Sequence, residues 1–284
     1  MHNVLHFIEH VTIDTLKLVP FLFLTYLVME ALEHKAGDKT HAIVKKAGRL
    51  GPVVGSLLGA LPQCGFSAAA SNLFAGRVIT LGTLIAIYLS TSDEMLPIMI
   101  SENVAIPTIL GILGIKVLIG MIAGLIIDLV ICGKKEEHDH IHEICEEENC
   151  HCEKGIWISA LIHTLHITIF ILLINFMLEL LLHTIGEEVL AQLILNKPIA
   201  GPLIAGVVGM IPNCASSVII TSLYLEGTLS LGAMMAGLLV NAGVGVLVLF
   251  RVNKDKTENI KILGLMYAIG VVAGIVLGFL PIQF

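Results

Sequence analysis

Two tripeptides in otherwise apolar surroundings carry the residues best suited to chemistry, Pro62-Gln63-Cys64 and Pro212-Asn213-Cys214. In each, the proline removes a backbone donor and frees a carbonyl oxygen, and a side-chain amide and a thiol follow directly. Helical spacing from each cysteine brings Ser67 and Ser71 onto the face of Cys64, and Ser217 and Thr221 onto the face of Cys214. A third polar group, Asp93 and Glu94, sits in a segment apolar enough to cross a membrane, where ionisable side chains are costly and face a cavity or a partner. Carboxylate and amide oxygens are hard ligands that suit a divalent cation such as manganese, whereas thiolates suit soft metals and trivalent arsenic. The set Gln63, Cys64, Asp93, Asn213, Cys214 and Asn241 holds both kinds, so ligand type alone leaves the ion open. Small residues also let membrane helices approach closely, and packing is the competing reading of the serine stripes.

Other ionisable residues are spread through the apolar segments. His163 and His166 lie one helical turn apart and, with Asp14, Glu30 and Glu179, are candidates to carry a proton or coupling ion. Glu30 and Glu179 stand near helix ends, where snorkelling to the interface also accounts for them. Lys17, Lys116 and Asp128 complete the intramembrane polar set. A different chemistry is concentrated at 132–153, where His138, His140, His142, Cys145, Cys150, His151 and Cys152 stand among eight acidic residues. That density reads as affinity for a divalent metal, in a cytoplasmic loop that collects or senses it, although the paired spacing of a zinc finger is absent. No cofactor is required elsewhere.

The elements that must position these residues are membrane helices. The 284 residues are 56% hydrophobic and only 14% charged, with a mean hydropathy of +0.92, more apolar surface than a soluble fold of this length buries. Segments long enough to span, roughly 20 apolar residues each, fall at 11–32, 78–101, 104–131, 155–184, 228–250 and 260–283. The first carries Asp14 and Lys17 and has neither a basic leader nor a small-residue cleavage pattern, so no cleaved signal peptide is expected. The formal charge of −7 resides almost wholly in the 132–153 loop, and no basic surface for nucleic acid exists.

Sliding the chain by 150 positions aligns 51–74 with 201–224 without a gap, through Gly51/Gly201, Pro52/Pro202, Gly59/Gly209, Pro62/Pro212, Cys64/Cys214 and Ser67/Ser217. The match extends to Gly120 and Gly124 against Gly270 and Gly274. The expected organisation is a first membrane repeat over 1–131, the linker loop 132–153 and a second repeat over 154–284. Corresponding interruptions in duplicated membrane halves point to a binding site. If 51–75 and 201–225 are hairpins that enter and leave on one side, the basic residues of 35–49, Arg77, Lys134, Lys135, Arg251, Lys254 and Lys256 share one side, as cytoplasmic positive charge requires. The prediction is therefore an all-α integral membrane protein of two inverted repeats, each with three spanning helices and a broken re-entrant helical hairpin. Residues 33–50 and 132–153 are then cytoplasmic and 185–200 external.

The run from Pro62 to Pro97, with its echo from Pro212 to Gly243, resembles the ten-transmembrane heavy-metal exporters, a family of arsenic efflux proteins and manganese transporters related to the arsenical permeases. The resemblance implies a secondary exporter of a heavy metal ion or metalloid, using alternating access at a midplane site between the repeats. A divalent cation (manganese) transporter, or a membrane-embedded metal sensor or enzyme, is the alternative. No phosphate-binding loop for ATP and no HExxH or GxSxG motif is present, so the expectation is a transporter and not an enzyme. Its partners are the lipid bilayer and a small inorganic substrate, in a multi-pass plasma-membrane setting. Homo-oligomerisation is left open.

Overall fold

The computed structural model of the chain describes residues 13, 16, 19, 20, 22–24, 26, 27, 50–61, 64–92, 94–131, 156–185 and 199–280, and each regular element among them is an α-helix. In chain order these are α1 (Gly51–Gly59), α2 (Cys64–Ala75), α3 (Leu81–Ser90), α4 (Met95–Ser101), α5 (Ile106–Ile131) and α6 (Ile156–Ile185). They are followed by α7 (Ala200–Gly209), α8 (Cys214–Leu225), α9 (Leu231–Val240), α10 (Gly245–Val252) and α11 (Lys256–Phe279). The sequence repeat is thus a structural one: α2 to α5 start at 64, 81, 95 and 106, and α8 to α11 start 150 positions later.

The same local devices set the same boundaries. Thr80 accepts a hydrogen bond from Thr83 N at the start of α3, and Ser230 accepts one from Ala233 N at the start of α9, each satisfying a donor that the first turn leaves unpaired. The preceding loops both pass through the left-handed region, at Gly227 (φ 74°) and at Arg77 (φ 56°). Glycine adopts that conformation freely, whereas a residue with a Cβ does so at a cost.

Membrane-length segments divide into two layers. Leu81–Ser101 and Leu231–Val252 are 71% and 89% buried inside the protein, whereas Ile106–Val130 and Lys256–Phe279 are 28% and 33% buried. The first pair forms the core and the second pair turns apolar side chains such as Leu118, Ile122, Val272 and Val276 outward, as lipid-facing helices do. Close packing of the layers depends on glycine. A side chain on Gly82 would run into the backbone of Gly124, and one on Gly232 into that of Gly274, so α3 crosses α5 and α9 crosses α11 with backbones nearly touching.

Continuous helices were expected over 78–101 and 228–250, and the structure breaks both, between α3 and α4 and between α9 and α10. The two breaks have different chemical causes. In the first, Ser90 Oγ, Thr91 Oγ1 and Ser92 Oγ bond the carbonyls of Ala86, Ile87 and Ser90, and such local bonds compete with the helical ladder. In the second, Asn241 Oδ1 accepts from Gly243 N at 2.7 Å, with Gly243 in the left-handed region (φ 54°).

The interrupted segments 51–75 and 201–225 turn back on themselves. Gly51, Gly55 and Gly59 of α1 lie against Thr83, Ile87 and Ser90 of α3 in that order, so α1 and α3 run parallel. A short connection joins the end of α2 at Ala75 to the start of α3 at Leu81, which puts Ala75 level with Gly51. The chain has therefore reversed between α1 and α2. Gly209 against Gly237, with Leu225 shortly before Leu231, gives the same reversal between α7 and α8.

The repeats also face opposite ways. Gly82 lies by Asp128, so α3 and α5 are antiparallel and Ile106 is at the far end from the loop 76–80. By the same logic Lys256 is at the far end from the loop 226–230. Yet Arg77, in the first of these loops, forms a two-pronged ion pair with Glu258 at 3.0 and 3.1 Å. Equivalent loops therefore lie at opposite ends of the bundle. The halves interlock, with α10 packed on α2 and α4 on α8. A second apolar cluster joins Leu22, Tyr26, Ile167 and Ile171 to Ala68, Val244 and Val248, seating α6 against the α2–α10 seam.

Candidate functional site

The two mid-span breaks and the second hairpin tip meet at the centre of the bundle. Lys116, the only lysine of α5, is 1% exposed. Its Nζ donates to the carbonyl oxygen of Thr91, the C-cap residue of α3, and at 3.1 Å to that of Leu238 in the last turn of α9. Carbonyls at a helix C-terminus lack intrahelical partners and carry the negative end of the macrodipole. An ammonium between two such ends is both hydrogen-bonded and electrostatically matched.

Beside Lys116 is a cavity of about 10 Å³, room for roughly one water. Thr91, Ser92 and Met95 line it from the first repeat with Lys116, and Ser217, Leu238 and Asn241 from the second. Asn241 is held by two bonds, from its Nδ2 to Ser216 Oγ at 2.8 Å and from Gly243 N to its Oδ1. Ser216 Oγ in turn donates to the carbonyl of Asn213 at 2.8 Å, so the break after α9 is tied to the tip before α8. Ser217 Oγ donates to the carbonyl of Cys214 at 2.8 Å. At that tip Asn213 is buried in extended backbone, and Pro212 and Cys214 are half-buried.

Ser67 and Ser71 are fully buried on α2, where they meet the other repeat. Gly245 sits so close to Ser67 that a side chain there has no room. Ser71 Oγ donates to the carbonyl of Gly245 at 2.7 Å and lies 2.7 Å from Tyr88 OH, which reaches the same carbonyl at 3.1 Å. Thr221, at the position equivalent to Ser71, is also fully buried, but its Oγ1 has no partner among the described residues.

Of the candidate binding residues named from the sequence, the cavity gathers Ser217 and Asn241, and with them Lys116 of the wider intramembrane polar set. Glu94 is half-buried at the start of α4, and His166 is exposed on α6, away from the cavity. Asp128 accepts from Thr80 Oγ1 at 2.7 Å and from Gly82 N at 2.8 Å, so it caps α3. The side chains of Cys64, His163 and Glu179 lie outside the described residues, as do Asp14, Glu30, Pro62, Gln63 and Asp93 entirely. So do all the loop candidates, His138, His140, His142, Cys145, Cys150, His151 and Cys152. Among the described residues no three His, Cys, Asp or Glu side chains gather as a metal site would.

Sequence reasoning left Lys116, Thr91 and Ser92 out of the site. The signal for Lys116 was available in the repeat itself, since the equivalent position in the second half is Met266. A lysine that replaces methionine in a duplicated span marks a place where the two halves differ in charge.

A model of the family described as "Putative, 10TM heavy-metal exporter" matches residues 6–183 and again residues 129–253. The chain belongs to this family. Its two overlapping matches run through both repeats and the linker between them. Neither the curated proteins nor the solved structures compared with the chain give a match. Family membership and the long apolar helices together make this a multi-pass membrane protein of an exporter family, while the ion it moves is a separate matter.

Proposed function

We propose that the protein is a secondary exporter of a heavy-metal or metalloid species, working by alternating access of its two inverted repeats about the central cavity. One observation carries this reading: a small polar cavity at the core is built from the breaks of both repeats, bridged by a buried lysine. Irregular backbone at membrane depth is tolerated where it lines a cavity, and broken helices at the interface of inverted repeats are where carriers bind their cargo. Each repeat gives its short helix, α4 or α10, to the other, so rocking one repeat against the other opens the cavity toward one end or the other while the outer helices stay in lipid.

Arg77, Arg251, Lys254 and Lys256 gather at one end of the bundle, with Glu102 and Glu226 at the other. The basic end is cytoplasmic by the positive-inside rule, and the plasma membrane is the natural setting for an exporter. The His- and Cys-rich loop 132–153 follows α5 at that same end, where it would collect or sense metal before export. The test is flux into liposomes carrying the purified full-length protein, across a panel of divalent metals and trivalent arsenic, with and without a pH gradient. Transport of at least one member above protein-free vesicles is expected, and none for the whole panel would overturn the reading.

A further inference from the structure

Two seams lead from the centre of the bundle to its ends, and they are closed to different degrees. Toward the basic end, α2 packs on α10. Gly245 abuts Ser67, and its carbonyl accepts from Ser71 and Tyr88 at 2.7 and 3.1 Å. Ala68, Val244 and Val248 fill the same seam with buried apolar side chains. Toward the other end, α4 packs on α8, and the repeat equivalents of Ser67, Tyr88 and Gly245 are Ser217, Leu238 and Met95, which line the central cavity. One turn further along α8, Thr221 Oγ1 is buried without a partner among the described residues, whereas its equivalent Ser71 is bonded to Gly245 and Tyr88.

The tighter seam is also fastened at its mouth. Arg77, in the loop after α2, meets Glu258, in the first turn of α11, through bonds of 3.0 and 3.1 Å, and its guanidinium lies 5.2 Å from the ring of Phe74. Asn253, just past α10, donates at 2.8 Å to Glu258 and at 2.7 Å to Asn259 Oδ1, which holds the carboxylate in place. A two-pronged pair within a network is the arrangement in which an exposed ion pair carries weight. Neither charge recurs at the other end, where the equivalents of Arg77 and Glu258 are Gly227 and Thr108. The turn itself does not call for arginine, because position 77 is left-handed (φ 56°), a conformation that Gly227 adopts freely in the second repeat.

Resting on the alternating-access reading above, we propose that Arg77 and Glu258 are the cytoplasmic gate of the carrier, a latch that ties the repeats together at the basic end and must release before the cavity opens to that side. The seam between α4 and α8 has no such pair at the equivalent positions, so the empty carrier opens more readily at the external end. Loading from the cytoplasm then follows release of the latch.

Side-specific thiol labelling of the full-length protein tests this, with a membrane-impermeant maleimide applied to right-side-out and inverted vesicles. The modified residue is located by peptide mass spectrometry, which separates each reporter from the six native cysteines. Val248→Cys reports on the α2–α10 seam and Thr221→Cys on the α4–α8 seam. With the latch intact, Thr221→Cys should react from the external side faster than Val248→Cys reacts from the cytoplasmic side. Adding Arg77→Gly or Glu258→Gln should speed cytoplasmic labelling of Val248→Cys by roughly 2- to 5-fold, the weight of one exposed ion pair, and leave Thr221→Cys no faster. Raising the ionic strength to ~1 M should act on the latched protein as these variants do, and add nothing after Arg77→Gly. Arg77→Gly should melt close to its parent, because relief of the left-handed backbone offsets the lost pair and the added chain freedom. Unchanged labelling of Val248→Cys in both variants would overturn the proposal, and so would faster labelling of both reporters, which would mean general loosening. If the variants expose Val248→Cys from the external side alone, the latch stands and the topology behind the exporter reading fails. Should Val248→Cys not fold, Ala75→Cys, buried at the basic end of α2, takes its place.

Discussion

Set 150 residues apart, the two repeats share their backbone and differ in their chemistry. The first has Arg77, Tyr88, Ser92, Lys116 and Asp128 where the second has Gly227, Leu238, Ala242, Met266 and Gly278. Shared features are those that let helices approach or begin: Gly82 and Gly232, Gly124 and Gly274, Thr80 and Ser230. Duplication thus explains the scaffold, and substitution on one side explains the site. The cavity built from both halves is asymmetric, and the charged side chain among its described lining, Lys116, comes from the first.

The largest expected effects test the shared part. Gly82→Val and Gly232→Val each push a side chain into the backbone of the opposing helix, where no flexible group can yield. Each should cost about 3 kcal/mol or more in thermal unfolding from detergent, at the upper end of overpacking penalties. Comparable losses are required; if one substitution is tolerated, the helix crossings of the two repeats are not equivalent.

Smaller and one-sided effects test the difference. Asp128 accepts from both Thr80 Oγ1 and Gly82 N, and Asp128→Ala strands those donors near the start of α3. A loss of about 1–2 kcal/mol follows from a removed cap. The equivalent Gly278 caps nothing, and an added Cβ there meets only Gly232 Cα at 3.7 Å, ordinary contact. Gly278→Ala should therefore be neutral or stabilising by about 0.5–1 kcal/mol, the usual gain of replacing a helical glycine. Equal losses at 128 and 278 would mean that the carboxylate contributes nothing beyond helix packing.

The same contrast shows what was legible beforehand. The reversals between α1 and α2 and between α7 and α8 announce themselves through Pro62 and Pro212, because a missing N–H interrupts a helix whatever surrounds it. The breaks between α3 and α4 and between α9 and α10 do not, because Ser-Thr-Ser ends one helix and Asn-Ala-Gly the other through different side-chain bonds. A hydropathy pattern therefore runs through both. Lys116 was visible as a charge out of place, but nothing in α5 alone tells whether it faces lipid, a partner or a cavity. That depends on Leu238, 122 residues away.

The finest distinction lies between Ser71 and Thr221, two buried hydroxyls at equivalent positions with different surroundings. Ser71 bonds the Gly245 carbonyl and Tyr88, yet Tyr88 also reaches that carbonyl, so Ser71→Ala leaves the acceptor satisfied. The loss should be modest, about 0.6–1.7 kcal/mol, the range of hydroxyl bonds between membrane helices. Thr221 Oγ1 makes no bond among the described residues, and Thr221→Val keeps its shape while removing only the orphaned oxygen. A buried polar atom without a partner is a cost, so its removal should leave the melting temperature unchanged or raise it. Stability then gives no account of the hydroxyl, and substrate affinity is the remaining readout. If Thr221→Val is as stable as the wild type but lowers the apparent affinity for the transported species, the oxygen belongs to the substrate. If affinity and stability are both unchanged, the hydroxyl has no role in the site, and among the described residues the polar ligands left are those of Thr91, Ser92, Ser217 and Asn241.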